Sequence, residues 1–166
     1  MPCGLAFCKV VSRAEIFLLS LRRLTELEKY IQTYFGVSHE DLAKISAYFK
    51  PVRLDKGEYY LKTGRHCDRL GFVQSGIIRE FVDFGGKEVT KWISTKGYFV
   101  VDLSSFVFGQ PSRWNIQALA DCELYVIDSK DYRSIGTRVK RWAGLEKLFI
   151  ANASRCWKTG CFRTWP

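Results

Sequence analysis

Between Val52 and Asp128 the chain is cut into short runs rich in aromatic and β-branched residues, with glycines at Gly57, Gly64, Gly76, Gly85-Gly86, Gly97 and Gly109. Runs of that length, interrupted that regularly, are too short for helices and read as strands of an antiparallel sheet closed into a roll or barrel. The Gly85-Gly86 pair between Ile77–Phe84 and Glu88–Ser94 predicts a two-residue hairpin, because primed turns need positive φ at their central residues.

Helical signals flank this region. Leu24, Leu27, Ile31 and Tyr34 recur at helical spacing and Gly36 closes the segment. Ser38 and Asp41 form the pattern of a cap, followed by the stripe Leu42, Ile45 and Phe49, and Pro51 is expected to stop that helix. After the strands, Ser129 is expected to cap a helix through Ile135, and Arg138 to Ala151 reads as another, with Val139, Trp142, Leu145 or Glu146, and Phe149 along one side. The expected organisation is a weakly structured extension over 1–23, one domain over 24–151 (helices 24–49, roll 52–128, helices 129–151) and a tail over 152–166. The fold class is mainly β with flanking α-helices.

The order of these elements is specific. Two helices, then Lys56-Gly57-Glu58, Gly64, Phe72-Val73-Gln74-Ser75-Gly76, Gly85-Gly86-Lys87-Glu88, Gly97-Tyr98-Phe99 and the strand Cys122-Glu123-Leu124-Tyr125-Val126-Ile127 resemble the cyclic-nucleotide-binding domain of the CRP/FNR family of bacterial transcription regulators. The resemblance covers about residues 26 to 150 and implies a double-stranded β-helix, or jelly roll, whose following helix serves dimerisation. It implies a ligand cassette in which a helix N-terminus and backbone N–H groups hold a cyclic phosphate, an arginine clamps it, and a carboxylate takes the ribose hydroxyl.

In the family a glycine-glutamate pair follows Gly-x-Phe by one residue and the arginine comes ten residues after the glutamate. Here those places hold Val101, Asp102 and Ser112, and Leu103 follows the carboxylate. Val101 puts a branched side chain where backbone should approach the ligand. Asp102 retracts the charge by about one carbon–carbon bond, ~1.5 Å. Ser112 removes the clamp, a change that costs about 2–5 kcal/mol where a buried charge pair is broken. Arg113 could replace the clamp only if it turned to the cavity, since a one-residue slip on a strand reverses the side chain; Trp114 could instead fill the pocket. Tight cyclic AMP binding is therefore not expected, and neither is any other cofactor.

Other chemistries are weighed against the same residues. A cupin-like small-molecule enzyme on the same jelly roll is the alternative, but the chain has two histidines, His39 and His66, far apart in sequence, where a metal-dependent cupin wants two or three converging. Cys3, Cys8 and Cys122 distantly resemble the cluster-binding cysteines of some relatives. That set is one ligand short, and Cys122 reads more simply as a small core residue. Cys156 and Cys161 add only a four-residue gap. The first helix pair mimics a helix-turn-helix, but Glu40 and Asp41 would face phosphate with the wrong sign.

Charge and length complete the expectations. The net charge is +9, but residues 24–128 hold 13 basic against 14 acidic side chains. The excess sits in 1–23 (net +3), 129–151 (net +4) and 152–166 (net +3), so the roll itself carries no field for nucleic acid. The residues after Ala151 are too few for a winged helix-turn-helix, so direct DNA binding by this chain is not expected. Ile16–Leu21 is too short and too closely flanked by charge for a signal peptide or a membrane span. The expected protein is a cytoplasmic sensor and dimerisation domain without enzymatic activity. Its expected partners are an unidentified small-molecule effector and a second copy of itself, joined through Val139, Trp142, Leu145 and Phe149.

Overall fold

The computed structural model describes residues 25–147. Expectations for residues 1–23, Leu24, the Tyr34 side chain, Phe149, the tail over 152–166 and the cysteines Cys3, Cys8, Cys156 and Cys161 lie outside the described residues.

Helix α1 (Glu26–Phe35) opens with a capping box: Thr25 Oγ1 accepts from the Glu28 N–H at 3.2 Å, and Glu28 Oε2 accepts from the Thr25 N–H at 2.8 Å. Two orphan N–H groups are thereby satisfied. Gly36, at φ 56°, ends it in the left-handed conformation. Helix α2 (His39–Ser46) is capped by Ser38, whose hydroxyl accepts from the Asp41 N–H at 3.1 Å. It ends at Ala47, well before Pro51, which corrects the expectation that Pro51 stops it. Pro51 instead lies in β1 (Lys50–Leu54), the edge of its sheet, where a strand tolerates a residue without an N–H.

The remaining strands are β2 (Tyr59–Leu61), β3 (Arg69–Ser75), β4 (Ile78–Phe84), β5 (Lys87–Ser94), β6 (Phe99–Val100), β7 (Asn115–Ala118) and β8 (Cys122–Asp128), with the short helix α3 (Leu103–Phe108) between β6 and β7. They form two antiparallel four-stranded sheets, ordered β1-β8-β3-β6 and β2-β7-β4-β5. Gly85 and Gly86, at φ 61° and 77°, make the β4–β5 turn as expected.

Two cores follow from strand alternation. Val73, Leu124, Val126, Ile78, Ile116 and Tyr60 fill the roll, while Leu70, Phe72 and Ile127, on the other face of β3 and β8, meet Leu27, Ile31, Leu42 and Ile45 of the helices. β3 is therefore covered on both faces, which is why its central residues are continuously buried. The first helix pair packs on the roll rather than presenting a recognition helix.

Helix α4 (Ser129–Arg138) differs from expectation at both ends. Its N-cap is Asp128, not Ser129, and no side chain caps it; the Ser129 N–H is satisfied by the Asp68 carbonyl of the β2–β3 turn at 2.6 Å. It runs past Ile135 to Arg138, and then Val139 turns extended (φ −116°, ψ 103°). Helical structure resumes at 142–147, so no continuous helix starts at Arg138. Val139 and Leu145 belong to the core under the helices, and Trp142 packs against it with its ring 5.3 Å from that of Tyr132. Of the residues expected at a dimer seam, Val139 and Leu145 are thus covered within the chain and Trp142 partly so.

Candidate functional site

The cassette between β6 and β7 is closed by its own side chains. β6 delivers Val101, half-buried against both cores, with an ordinary negative φ. Asp102 caps α3: its Oδ1 accepts from the Ser105 N–H at 3.1 Å. Its Oδ2 accepts from the Ser112 hydroxyl at 2.7 Å, and both residues are buried. Ser112 Oγ also accepts from the Trp114 N–H at 3.1 Å. The helix end and the carboxylate that could receive an anion and a hydroxyl are thus bonded to each other.

The β2–β3 turn is latched onto the same loop. The Gly64 N–H donates to the Ser112 carbonyl at 2.7 Å, the Ser112 N–H to the Arg65 carbonyl at 2.8 Å, and the Cys67 N–H to the Ser105 hydroxyl at 2.7 Å. Sequence reasoning missed Ser105, and nothing short of the long-range contact with Cys67 identifies it.

Ser112 and Trp114 face inward and Arg113 faces out. Arg113 is exposed, whereas Trp114 is half-buried with the Lys91 ammonium 3.9 Å from its ring centroid. Lys91 also binds Glu80 Oε1 at 2.8 Å, both side chains about four-fifths buried. Lys91 comes within reach through a bulge, since Glu80 pairs with Trp92 and Phe81 with Thr90, leaving Lys91 as the extra residue. Leu103, half-buried at the start of α3, makes no polar contribution. Glu80 and Lys91 thus gather at Trp114, two residues from Ser112 at the place of the clamp, and sequence reasoning singled out only Trp114. Phe106 of α3 touches Tyr132 of α4 at 5.2 Å, and Tyr132 touches Trp142, an edge-to-face chain from cassette to C-terminal segment.

Burial holds the Glu80 carboxyl above its ordinary 4.5; the Lys91 ammonium pulls it back, and the Asp102 charge adds a smaller upward push. A carboxyl with a raised folded pKa contributes stability below its unfolded pKa, and that contribution is lost as pH rises through the folded value. Glu80→Gln should remove this dependence. In urea unfolding at a series of pH values, the stability of wild type relative to Glu80→Gln is expected to fall as pH rises from below 4.5. A relative stability that grows with pH would show that the Lys91 pair outweighs desolvation.

Residues 51–138 match the sequence profile of the cyclic nucleotide-binding domain. The chain belongs to that family. No curated protein matches the sequence. Among solved structures, the Thermus thermophilus catabolite activator protein shares 22% identity and a TM-score of 0.64 over 76% of this chain and 58% of its own length. A cyclic nucleotide-binding domain from Methylobacillus flagellatus gives 13%, 0.66, and 80% of each chain. The sensor domain of the transcriptional regulator DNR from Pseudomonas aeruginosa gives 18%, 0.59, 83% of this chain and 96% of its own. CRP/FNR-type regulators are thus among the structural neighbours of this cyclic nucleotide-binding domain, and at these identities the likeness speaks to the fold. Among the described residues, no three metal-binding side chains converge. No helix among them is long and apolar enough to cross a membrane.

Proposed function

We propose that this domain is the sensor and dimerisation module of a CRP/FNR-type transcription regulator, non-enzymatic and cytoplasmic, that does not bind cyclic AMP tightly. The observation that supports this most is the Ser112–Asp102 hydrogen bond at the place of the phosphate clamp. An incoming cyclic phosphate finds no guanidinium there and meets a carboxylate already satisfied. Arg113, pointing to solvent, supplies no replacement. Losing the clamp costs about 2–5 kcal/mol, which is tens to thousands of fold in affinity.

Effector occupancy of the roll would reach the C-terminal segment through Phe106, Tyr132 and Trp142. Because Val139 and Leu145 are core residues, a homodimer through that segment would use its exposed positions, such as Ala143 and Gly144. Sedimentation that finds only monomer at high concentration would remove the dimer from this reading.

The test of the cassette is calorimetric. Wild type should show no micromolar cyclic AMP binding, and the combined Val101→Gly, Asp102→Glu, Ser112→Arg and Trp114→Ala variant should gain it. Micromolar binding by wild type would overturn the reading.

A further inference from the structure

The β2–β3 turn carries a feature that the cassette does not explain. Residues 59–69 enclose a cleft of about 260 Å³, far above the ~10–15 Å³ that one water needs by the same measure. Lys62, Arg65 and Arg69 line it together with His66 and Asp68. With His66 neutral the lining carries two net positive charges. None of the three cations has a carboxylate within ion-pair distance among the described residues, although ten other basic–acidic residue pairs among them do.

The cations are also placed. The Arg69 guanidinium donates to the Tyr60 carbonyl at 3.0 Å and stacks 4.8 Å from the Tyr60 ring, which leaves its other N–H groups for a ligand. The Lys62 ammonium rests 4.7 Å from the Tyr59 ring. The turn backbone between them is held by its three hydrogen bonds to the cassette loop, from Gly64, Cys67 and to Arg65. Like charges gathered on a fixed frame repel one another, and an anion between them relieves that repulsion with charge-assisted hydrogen bonds.

We propose that this cleft is a binding site for the phosphate group of a small phosphorylated molecule, separate from the cassette and independent of whether the cassette binds a nucleotide. Two or three cationic donors around one cleft suit a multiply charged phosphate better than a carboxylate. The site also has a mechanical outlet, since the Asp68 carbonyl holds the first N–H of α4. Occupancy of the turn would act on the base of the helix that leads to the C-terminal segment.

The experiment titrates the full chain with inorganic pyrophosphate at low salt, by calorimetry and by amide chemical shifts. Saturable binding is expected, with shifts at residues 62–69 and at Ser129. The double variant Lys62→Ala, Arg65→Ala, both at exposed positions, should weaken it at least about tenfold, as the loss of charged hydrogen bonds requires. Arg113→Ala should leave it unchanged. If the double variant fails to fold, Lys62→Glu alone makes the same comparison. Three results would overturn the proposal: no saturable binding, a loss as large in Arg113→Ala, or binding of a short DNA oligonucleotide without binding of pyrophosphate.

Discussion

Gly76→Ala is expected to remove about 2–5 kcal/mol of stability, a large part of the roughly 5–15 kcal/mol that a domain of this size has. Gly76 turns the chain from β3 into β4 at φ 97°, a conformation that costs an L-residue about 1–2 kcal/mol. The second contribution is steric. A Cβ at Gly76 would lie 2.8 Å from the Cys122 Cα and still closer to the Asp121 carbonyl and Cys122 Sγ. These are mostly backbone atoms at the start of β8, the strand that pairs with both β1 and β3, so they cannot give way cheaply. Cys122 is itself buried, with its thiol on the Ala120 carbonyl at 3.0 Å. Gly86→Ala is the control: φ is 77° but a Cβ there meets open space, so only the conformational cost of about 1–2 kcal/mol applies. Chemical denaturation of the two variants should give clearly different midpoints. Equal losses would mean that the close approach at Cys122 relaxes without cost.

Much of the roll was legible because its turns are written in glycine. Gly36, Gly57, Gly64, Gly76, Gly85, Gly86, Gly97 and Gly109 all adopt positive φ, so the spacing of one residue type reported the spacing of turns. Helix boundaries were less legible for identifiable reasons. The Thr25–Glu28 box was hidden by starting the first helix at Leu24. Ser129 has the composition of a cap, yet the carbonyl that satisfies its N–H comes from Asp68, sixty-one residues away, which no local pattern contains. The break at Val139 leaves the apolar stripe intact because Val139 stays buried while its backbone is extended, so periodicity could not detect it.

The site divides the same way. Spacing from Gly97-Tyr98-Phe99 pointed to Val101, Asp102 and Ser112; Arg113 is exposed and Trp114 half-buried, but both lie in the bend before β7, where strand alternation does not apply. What alternation could not supply was the bulge that brings Lys91 over Trp114, because an extra residue shifts the face of everything beyond it.

The Asp102–Ser112 bond also sets the second large effect: Asp102→Ala should cost about 2–4 kcal/mol, from a lost N-cap of about 0.5–2 and a lost hydrogen bond to a charged acceptor of about 1.5–3, which overlap. The loss should spread, because Ser105 and Ser112 also hold the β2–β3 turn through Cys67, Gly64 and Arg65. Ser112→Ala leaves the cap in place and should cost less; Asp102→Asn keeps an oxygen for the Ser105 N–H and should cost least. The order of denaturation midpoints, and faster amide exchange at Gly64, Cys67 and Trp114 in Asp102→Ala, check this. A cost for Asp102→Ala of well under 1 kcal/mol, smaller than a cap alone, would mean that the carboxylate does not organise the cassette. The same variant bears on function. A ligand entering the cassette of wild type has to displace the internal bond and also lacks a guanidinium; Asp102→Ala removes the first obstacle and not the second. Cyclic AMP binding should therefore stay absent in Asp102→Ala and appear only when Ser112 is replaced by arginine, which would separate a cassette that is merely latched from one that has lost the residue that holds phosphate.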